Sequence, residues 1–142
     1  MTGLAVRLFG PLEVVDGAGR VLDPGTRKQR TLLAMLALEP GRVVSLDRLI
    51  DELWAGEPPA GATRTLQAYI AHLRRVLEPD RPPRTPPELL LTRDPGYLLA
   101  VAPGRVDLWR FTAGADEGRR ALARGAHAEA LEALDRALGE WR

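Results

Sequence analysis

The chain has 142 residues, 45% of them apolar and 27% charged, with a net charge of +1, values ordinary for a globular domain or a small domain plus a fragment. It contains no cysteine and only two histidines, His72 and His127, which excludes disulfide frameworks, thiol nucleophiles and Cys-ligated metal sites. No apolar run approaches the ~18 residues of a membrane helix, and the opening Met1-Thr2-Gly3-Leu4 lacks the regions of a secretory signal, so a soluble, cytoplasmic protein is expected.

Leu4 to Phe9 alternates, with Leu4, Val6 and Leu8 on one face, and reads as a strand closed by Gly10-Pro11. Leu12 to Val15 and Arg20 to Leu22 make two more short strands around the turn Asp16-Gly17-Ala18-Gly19. Thr26 is suited to cap a helix running to about Glu39, with Leu32, Leu33, Leu36 and Ala37 as its apolar stripe. Ser45 is suited to cap a second helix, with Asp47 in its first turn, where the helix dipole favours an anion. On that helix Leu46, Leu49, Ile50, Leu53 and Trp54 fall on one helical face. A third helix is expected from about Ala60 to Glu78, with the core stripe Leu66, Ile70, Leu73 and Leu77. Prolines at 79, 82, 83, 86 and 87 forbid a helix or central strand in the next segment. Leu89–Thr92 and Tyr97–Val101 then read as a hairpin about Arg93-Asp94-Pro95-Gly96, where Pro fixes φ and Gly accepts a positive φ.

From Val106 the character changes. Asp107 is suited to cap a helix carrying Leu108, Phe111, Ala115 and Leu122, and Arg124-Gly125 is suited to end it. Ala128 to Trp141 makes another helix, with Leu131, Leu134, Leu138 and Trp141 on one face beside many alanines. Two short Ala-rich helices in tandem resemble one unit of a tetratricopeptide-like (TPR-like) repeat, and such arrays usually need about three units. The boundary falls near Pro103-Gly104, giving residues 1–103 as one domain and 104–142 as the incomplete start of another. The fold class is α+β: an N-terminal antiparallel sheet, a winged helix-turn-helix with a C-terminal hairpin, and a TPR-like helix pair.

Three helices followed by a hairpin is the order that a winged helix requires, with the last helix in the DNA major groove and the hairpin along the backbone. With the stripe of the third helix turned inward, about 100° per residue sends Arg64, Ala68, Ala71 and Arg75 directly outward. Gln67, His72 and Arg74 flank them. No acid lies between Arg64 and Leu77. Arginine can pair bidentately with guanine and glutamine with adenine, and small residues between them allow close approach to bases and to thymine methyls. Arg93, at the hairpin turn, sits where a phosphate contact would fall. Arg27, Lys28 and Arg30 form a second basic cluster at a helix start, a placement that hints at an anion nearby. The plain alternatives are a solvated basic face for the arginines, a surface role for His72 and a core role for Trp54. Enzyme signals are missing: the segment Gly56–Gly61 lacks the lysine of a P-loop, no nucleophile elbow or zinc-binding helix occurs, and Ser45, the only serine, fits a helix cap. No cofactor is expected.

The run Pro40-Gly41-Arg42-Val43-Val44-Ser45-Leu46-Asp47-Arg48-Leu49-Ile50-Asp51-Glu52-Leu53-Trp54, followed by Thr65-Leu66-Gln67-Ala68-Tyr69-Ile70-Ala71-His72-Leu73-Arg74-Arg75-Val76-Leu77, resembles the SARP family, the Streptomyces antibiotic regulatory proteins. The opening Leu8-Phe9-Gly10-Pro11-Leu12-Glu13-Val14 and the hairpin's Gly96-Tyr97-Leu98-Leu99 carry the same resemblance. Val106-Asp107-Leu108-Trp109-Arg110-Phe111 and Leu138-Gly139-Glu140-Trp141-Arg142 look like the start of that family's bacterial transcriptional activation domain. The resemblance implies an OmpR-like winged helix that activates secondary-metabolite (antibiotic) genes in actinomycetes. It implies binding to direct repeats in double-stranded DNA as a head-to-tail dimer, and contact with RNA polymerase. It places Trp54, Arg64, Thr65, Ala68, His72, Arg74, Arg75 and Arg93 at DNA-contacting positions. Trp54 would donate its indole N–H to a phosphate, Arg64 and Arg93 would clamp phosphates, and Ala68, His72 and Arg75 would face bases. Related response regulators often carry arginine where this chain has Ala71 and His72, so base preference does not carry over. The activation segment stops after one helix pair, which implies a fragment of a larger regulator or a small one with altered activity. The competing expectation is a protein-interaction module that docks on polymerase or another regulator without specific DNA readout.

Overall fold

The computed structural model describes residues 3–141. Its first sheet is antiparallel, in the order β1 (Ala5–Arg7), β2 (Glu13–Val15), β3 (Val21–Leu22). Val6 pairs with Val14 and Val14 with Leu22. Alternation sends Val6 and Val14 fully into the core while Arg7 stays at the surface. The expected turn at Asp16 forms: its carboxylate accepts the Ala18 and Arg20 amides at 2.9 Å each, so the loop's backbone donors are met locally.

Three helices follow, α1 (Arg27–Leu38), α2 (Leu46–Leu53) and α3 (Ala62–Leu77). Thr26 caps α1 through a capping box: its hydroxyl accepts the Gln29 amide and the Gln29 side chain accepts the Thr26 amide. Ser45 caps α2, accepting from the Arg48 amide at 3.1 Å. The stripes read from the sequence meet in one core. Leu32, Leu33, Leu36, Leu49, Leu66, Ile70 and Leu73 are all at most 1% exposed. Each such side chain contributes roughly 1.5–3 kcal/mol by leaving water.

The wing hairpin is β5 (Leu90–Arg93) and β6 (Gly96–Leu99), in register Leu90 with Leu99 and Arg93 with Gly96. A strand absent from the sequence reading, β4 (Val44–Ser45), adds to the other side of β6 and completes a second antiparallel sheet in the order β4-β6-β5. This changes the role of Gly96. It has no positive φ; instead a Cβ there would lie 1.9 Å from the Val44 carbonyl oxygen. Glycine is needed because β4 passes too close for a side chain. The proline-rich stretch before the hairpin is closed by Glu78, whose carboxylate accepts the Glu88 and Leu89 amides.

A short 3-10 turn, Pro103–Arg105, leads into α4 (Asp107–Ala123), and α5 (His127–Leu138) packs back on it. Gly125, at φ +76°, ends α4 where the sequence places its stop. Two expectations change here. Asp107 is the first helical residue and not a simple cap: it is 0% exposed, and its carboxylate reaches back to the first sheet. The face of α5 that packs on α4 is Ala130, Ala133 and Ala137, while Leu131, Leu138 and Trp141 are each more than 60% exposed. On α4, Leu122 is exposed too. The cause is close backbone approach. A Cβ on Gly118 would meet Leu134 at 2.6 Å, and one on Gly114 would meet the Ala137 Cβ at 3.0 Å. Helices this close admit alanine between them, with Leu134 lying against the bare Gly118, and leave Leu131 and Leu138 facing outward.

Candidate nucleic-acid interface

The chemistry is concentrated on α3, and the buried stripe fixes how it faces. Leu66, Ile70, Leu73 and Leu77 point into the core, so Arg64, Gln67, Ala68, Ala71 and Arg75 lie exposed on the opposite side. Among the described residues, Arg64 and Arg75 have no ion pair and no side-chain hydrogen bond. Two unneutralised guanidinium groups on one exposed face, three helical turns apart with alanines between, form an open cationic strip.

The strip is held from both flanks. On one flank, Tyr69 stacks on Trp54 at the end of α2, with ring centroids 6.4 Å apart and planes 15° from parallel. The Lys28 ammonium lies 5.7 Å from the centroid of the Trp54 ring and donates to the Leu53 carbonyl at 3.2 Å. Lys28 thus neutralises the negative C-terminal end of α2 while making a cation–π contact. Further along the same flank, a ring nitrogen of His72 meets the Pro24 carbonyl at 3.0 Å. Gly25 makes that corner tight: at φ +109°, a Cβ there would lie 2.1 Å from Gln29 Oε1 and 2.8 Å from His72 Nε2. Thr65 is half-buried on this side.

On the other flank, Arg74 crosses to the wing. Its Nε donates to the Leu90 carbonyl and its Nη2 to the Thr92 hydroxyl, both at 2.9 Å. Burial lowers the pKa of this guanidinium, yet an arginine stays charged at any ordinary pH. Arg93, at the wing tip, is exposed and folds one guanidinium nitrogen onto the Thr92 carbonyl at 3.0 Å.

The structure therefore sorts the residues singled out in the sequence. Arg64, Gln67, Ala68, Ala71 and Arg75 are brought together on one open face, with Arg93 exposed on the wing. Trp54, Thr65 and His72 border that face along its α1–α2 side. His72 and Arg74 are already engaged within the chain, one with the loop before α1 and the other with β5. The basic cluster at the start of α1 separates as well. Arg30 is used internally, donating to the Leu12 carbonyl at 2.8 Å and pairing with Asp23. Lys28 is taken by Trp54 and Leu53, and Arg27 remains exposed. Sequence reasoning missed the Lys28–Trp54–Tyr69 stack, because its members come from three helices far apart in the chain. Elsewhere, Arg48 on α2 is neutralised by Glu39 and Glu52. Among the described residues, no helix is long and apolar enough to cross a membrane.

Comparison with known proteins gives the family. Residues 24–99 match the family model for the C-terminal domain of transcriptional regulatory proteins, and residues 106–142 match that for the bacterial transcriptional activator domain. The chain is similar to the transcriptional regulatory protein MoaR1 of Mycobacterium tuberculosis, with 41% identity over 136 residues covering 95% of this chain and 43% of MoaR1. It is similar to the regulatory protein DnrI of Streptomyces peucetius, with 37% identity over 145 residues covering 98% of this chain and 52% of DnrI. Among solved structures it is similar to Mycobacterium tuberculosis EmbR in complex with a low-affinity phosphopeptide. That match has a TM-score of 0.87 and 37% identity, and covers 100% of this chain and 37% of the EmbR chain. The chain spans roughly half, or less, of the length of these relatives. With the C-terminal domain of transcriptional regulatory proteins over more than half its length and an activator domain directly behind it, the chain belongs to that regulatory family, in the SARP arrangement that its motifs resemble.

Proposed function

We propose that this chain is a sequence-specific double-stranded DNA-binding regulator of transcription, a binding protein and not an enzyme. The observation that carries the reading is the open strip Arg64-Gln67-Ala68-Ala71-Arg75, cationic, unneutralised and presented on a helix whose two flanks are fixed. In the major groove Arg75 and Gln67 reach base edges, Ala68 and Ala71 lie against them, and Arg64 and Arg93 take phosphates. Trp54 and Thr65 border the strip where a backbone phosphate would pass. His72 and Arg74 act mainly through what they hold: the α1 corner and the wing.

The matched activator domain and the likeness to named regulators support activation of target genes, secondary-metabolite genes among them, through contact with RNA polymerase. The exposed Leu122, Leu131 and Leu138 favour a protein contact by the helix pair, so the interaction-module reading describes that half of the chain beside the DNA-binding half. Direct-repeat sites occupied by a head-to-tail pair, and residence on nucleoid DNA in the cytoplasm, complete the proposal.

Selection of duplexes from a random library tests it. Enrichment of a short motif repeated in one orientation about 10–11 bp apart is the expected result. On that site Arg75→Ala costs about 1–3 kcal/mol and relaxes one position, whereas Arg93→Ala weakens all sequences alike. Binding without enrichment that merely fades as salt rises would defeat the specific-regulator reading.

A further inference from the structure

The carboxylate of Asp107 is wholly buried. It accepts three backbone amides: Leu8 at 2.7 Å, Phe9 at 3.2 Å and Leu108 at 2.8 Å. Two of these, Leu8 and Phe9, follow directly on β1, some hundred positions earlier in the chain. Beside it, Val6 and Val106 form a parallel bridge, so the residue before α4 is an extra rung on the first sheet. The join is then widened on both sides. Trp109 Nε1 donates to the Leu38 carbonyl at the end of α1, at 3.1 Å. Phe9 packs edge-on against Phe111, with ring centroids 5.4 Å apart, and lies tilted by 35° against Trp141 at 5.0 Å. Arg110 makes a bidentate pair with Glu140, both bonds at 2.9 Å, which ties the far end of the helix pair to its beginning. A carboxylate with three amide donors is a strong, directional joint: each bond is charge-assisted, and no water is left to replace a lost one.

We infer that Asp107 is a positioning residue that locks the helix pair onto the winged-helix unit as one rigid body, so that its carboxylate sets the direction in which the helix pair points from bound DNA. The first sheet has a task in this scheme. It lies outside residues 24–99, which match the regulatory family, and the residues that follow its first strand supply the amides on which the second unit is mounted. The part of the inference that concerns bound DNA rests on the function proposed above; the rigid joint does not.

The chain has no cysteine, so a doubly spin-labelled Glu57→Cys/Leu131→Cys protein, with both sites exposed, gives a clean distance across the join. A single narrow distance is expected with Asp107, broadened several-fold in Asp107→Asn, where an amide N–H₂ is turned toward N–H donors. Hydrogen exchange on the same variant should lose protection in the first turn of α4 while α3 keeps its own, and affinity for the selected duplex should stay within twofold. In the unsubstituted chain the Leu8 and Phe9 amides should exchange in the same opening event as α4. A broad distance in the parent chain, a narrow one in Asp107→Asn, or independent exchange of Leu8 and Phe9 would each overturn the inference. So would equal loss of protection in α3 and α4 with loss of DNA affinity, since that marks ordinary support of folding. If no duplex binds the parent chain, the DNA-binding reading fails alone, and the distance and exchange results still decide the joint.

Discussion

The two halves of this chain are built on opposite packing rules. The winged-helix unit buries large aliphatic side chains, Leu32, Leu33, Leu36, Leu49, Leu66 and Leu73 among them, in a core shared by three helices and two sheets. The helix pair buries Gly118, Ala121, Ala130, Ala133 and Ala137 and leaves Leu122, Leu131 and Leu138 outside. Little apolar area leaves water in such an interface, so it gains mainly from close backbone contact and dispersion. The first unit carries its own stability. The second is firm where Asp107 and Phe9 join it to the first and owes less to its own interior.

Substitutions can break this contrast to different extents. The largest effect is expected at Leu66, wholly buried at the centre of α3. Leu66→Ala should cost about 2–5 kcal/mol, read as a lower urea midpoint and a loss of protection across all three helices of the winged-helix unit. An intermediate effect is expected at Gly118, where an added methyl meets Leu134 at 2.6 Å. Gly118→Ala should destabilise α4 and α5 by about 1–3 kcal/mol through overpacking, with α3 exchange unchanged; an unaltered α5 would show that the helices are less closely pressed than described. The smallest effect is expected at Leu131, 63% exposed. Leu131→Gln should change stability by no more than about 0.5 kcal/mol while raising solubility. A larger loss would mean that this leucine is covered in solution.

Much of the first unit was legible in the sequence because its signals are local and redundant. Alternation gave β1, side-chain oxygens gave the caps at Thr26 and Ser45, and a four-member stripe oriented α3. That orientation brought out the exposed strip from residue spacing alone. What escaped has a common cause. Strand β4 is two residues long and carries no periodicity. The partners of Arg74 and Lys28 are backbone carbonyls and a ring on other elements, which no spacing encodes. Asp107 looked like a helix cap because a buried acceptor and a capping acceptor are the same residue type; only its position against β1 tells them apart. On α5 leucine and alanine occupy neighbouring stripes, and hydrophobicity favoured the leucines. The choice was made by Gly114 and Gly118 on the other helix.

The wing behaves mechanically as a beam clamped along both rails. One rail, β5, is bolted to α3 by Arg74; the other, β6, is stitched to β4, whose Ser45 also starts α2. Even the short overhang about Asp94 and Pro95 is held, since the Pro95 carbonyl accepts the Leu46 amide at 3.0 Å. A probe on that overhang has little motion to surrender when it meets a surface, so its docking carries a small entropic penalty. On the DNA-binding function proposed above, the same stiffness would make it a poor accommodator: a duplex whose groove lay a few ångströms out of place would have to bend toward the beam, because the beam has no slack with which to follow it.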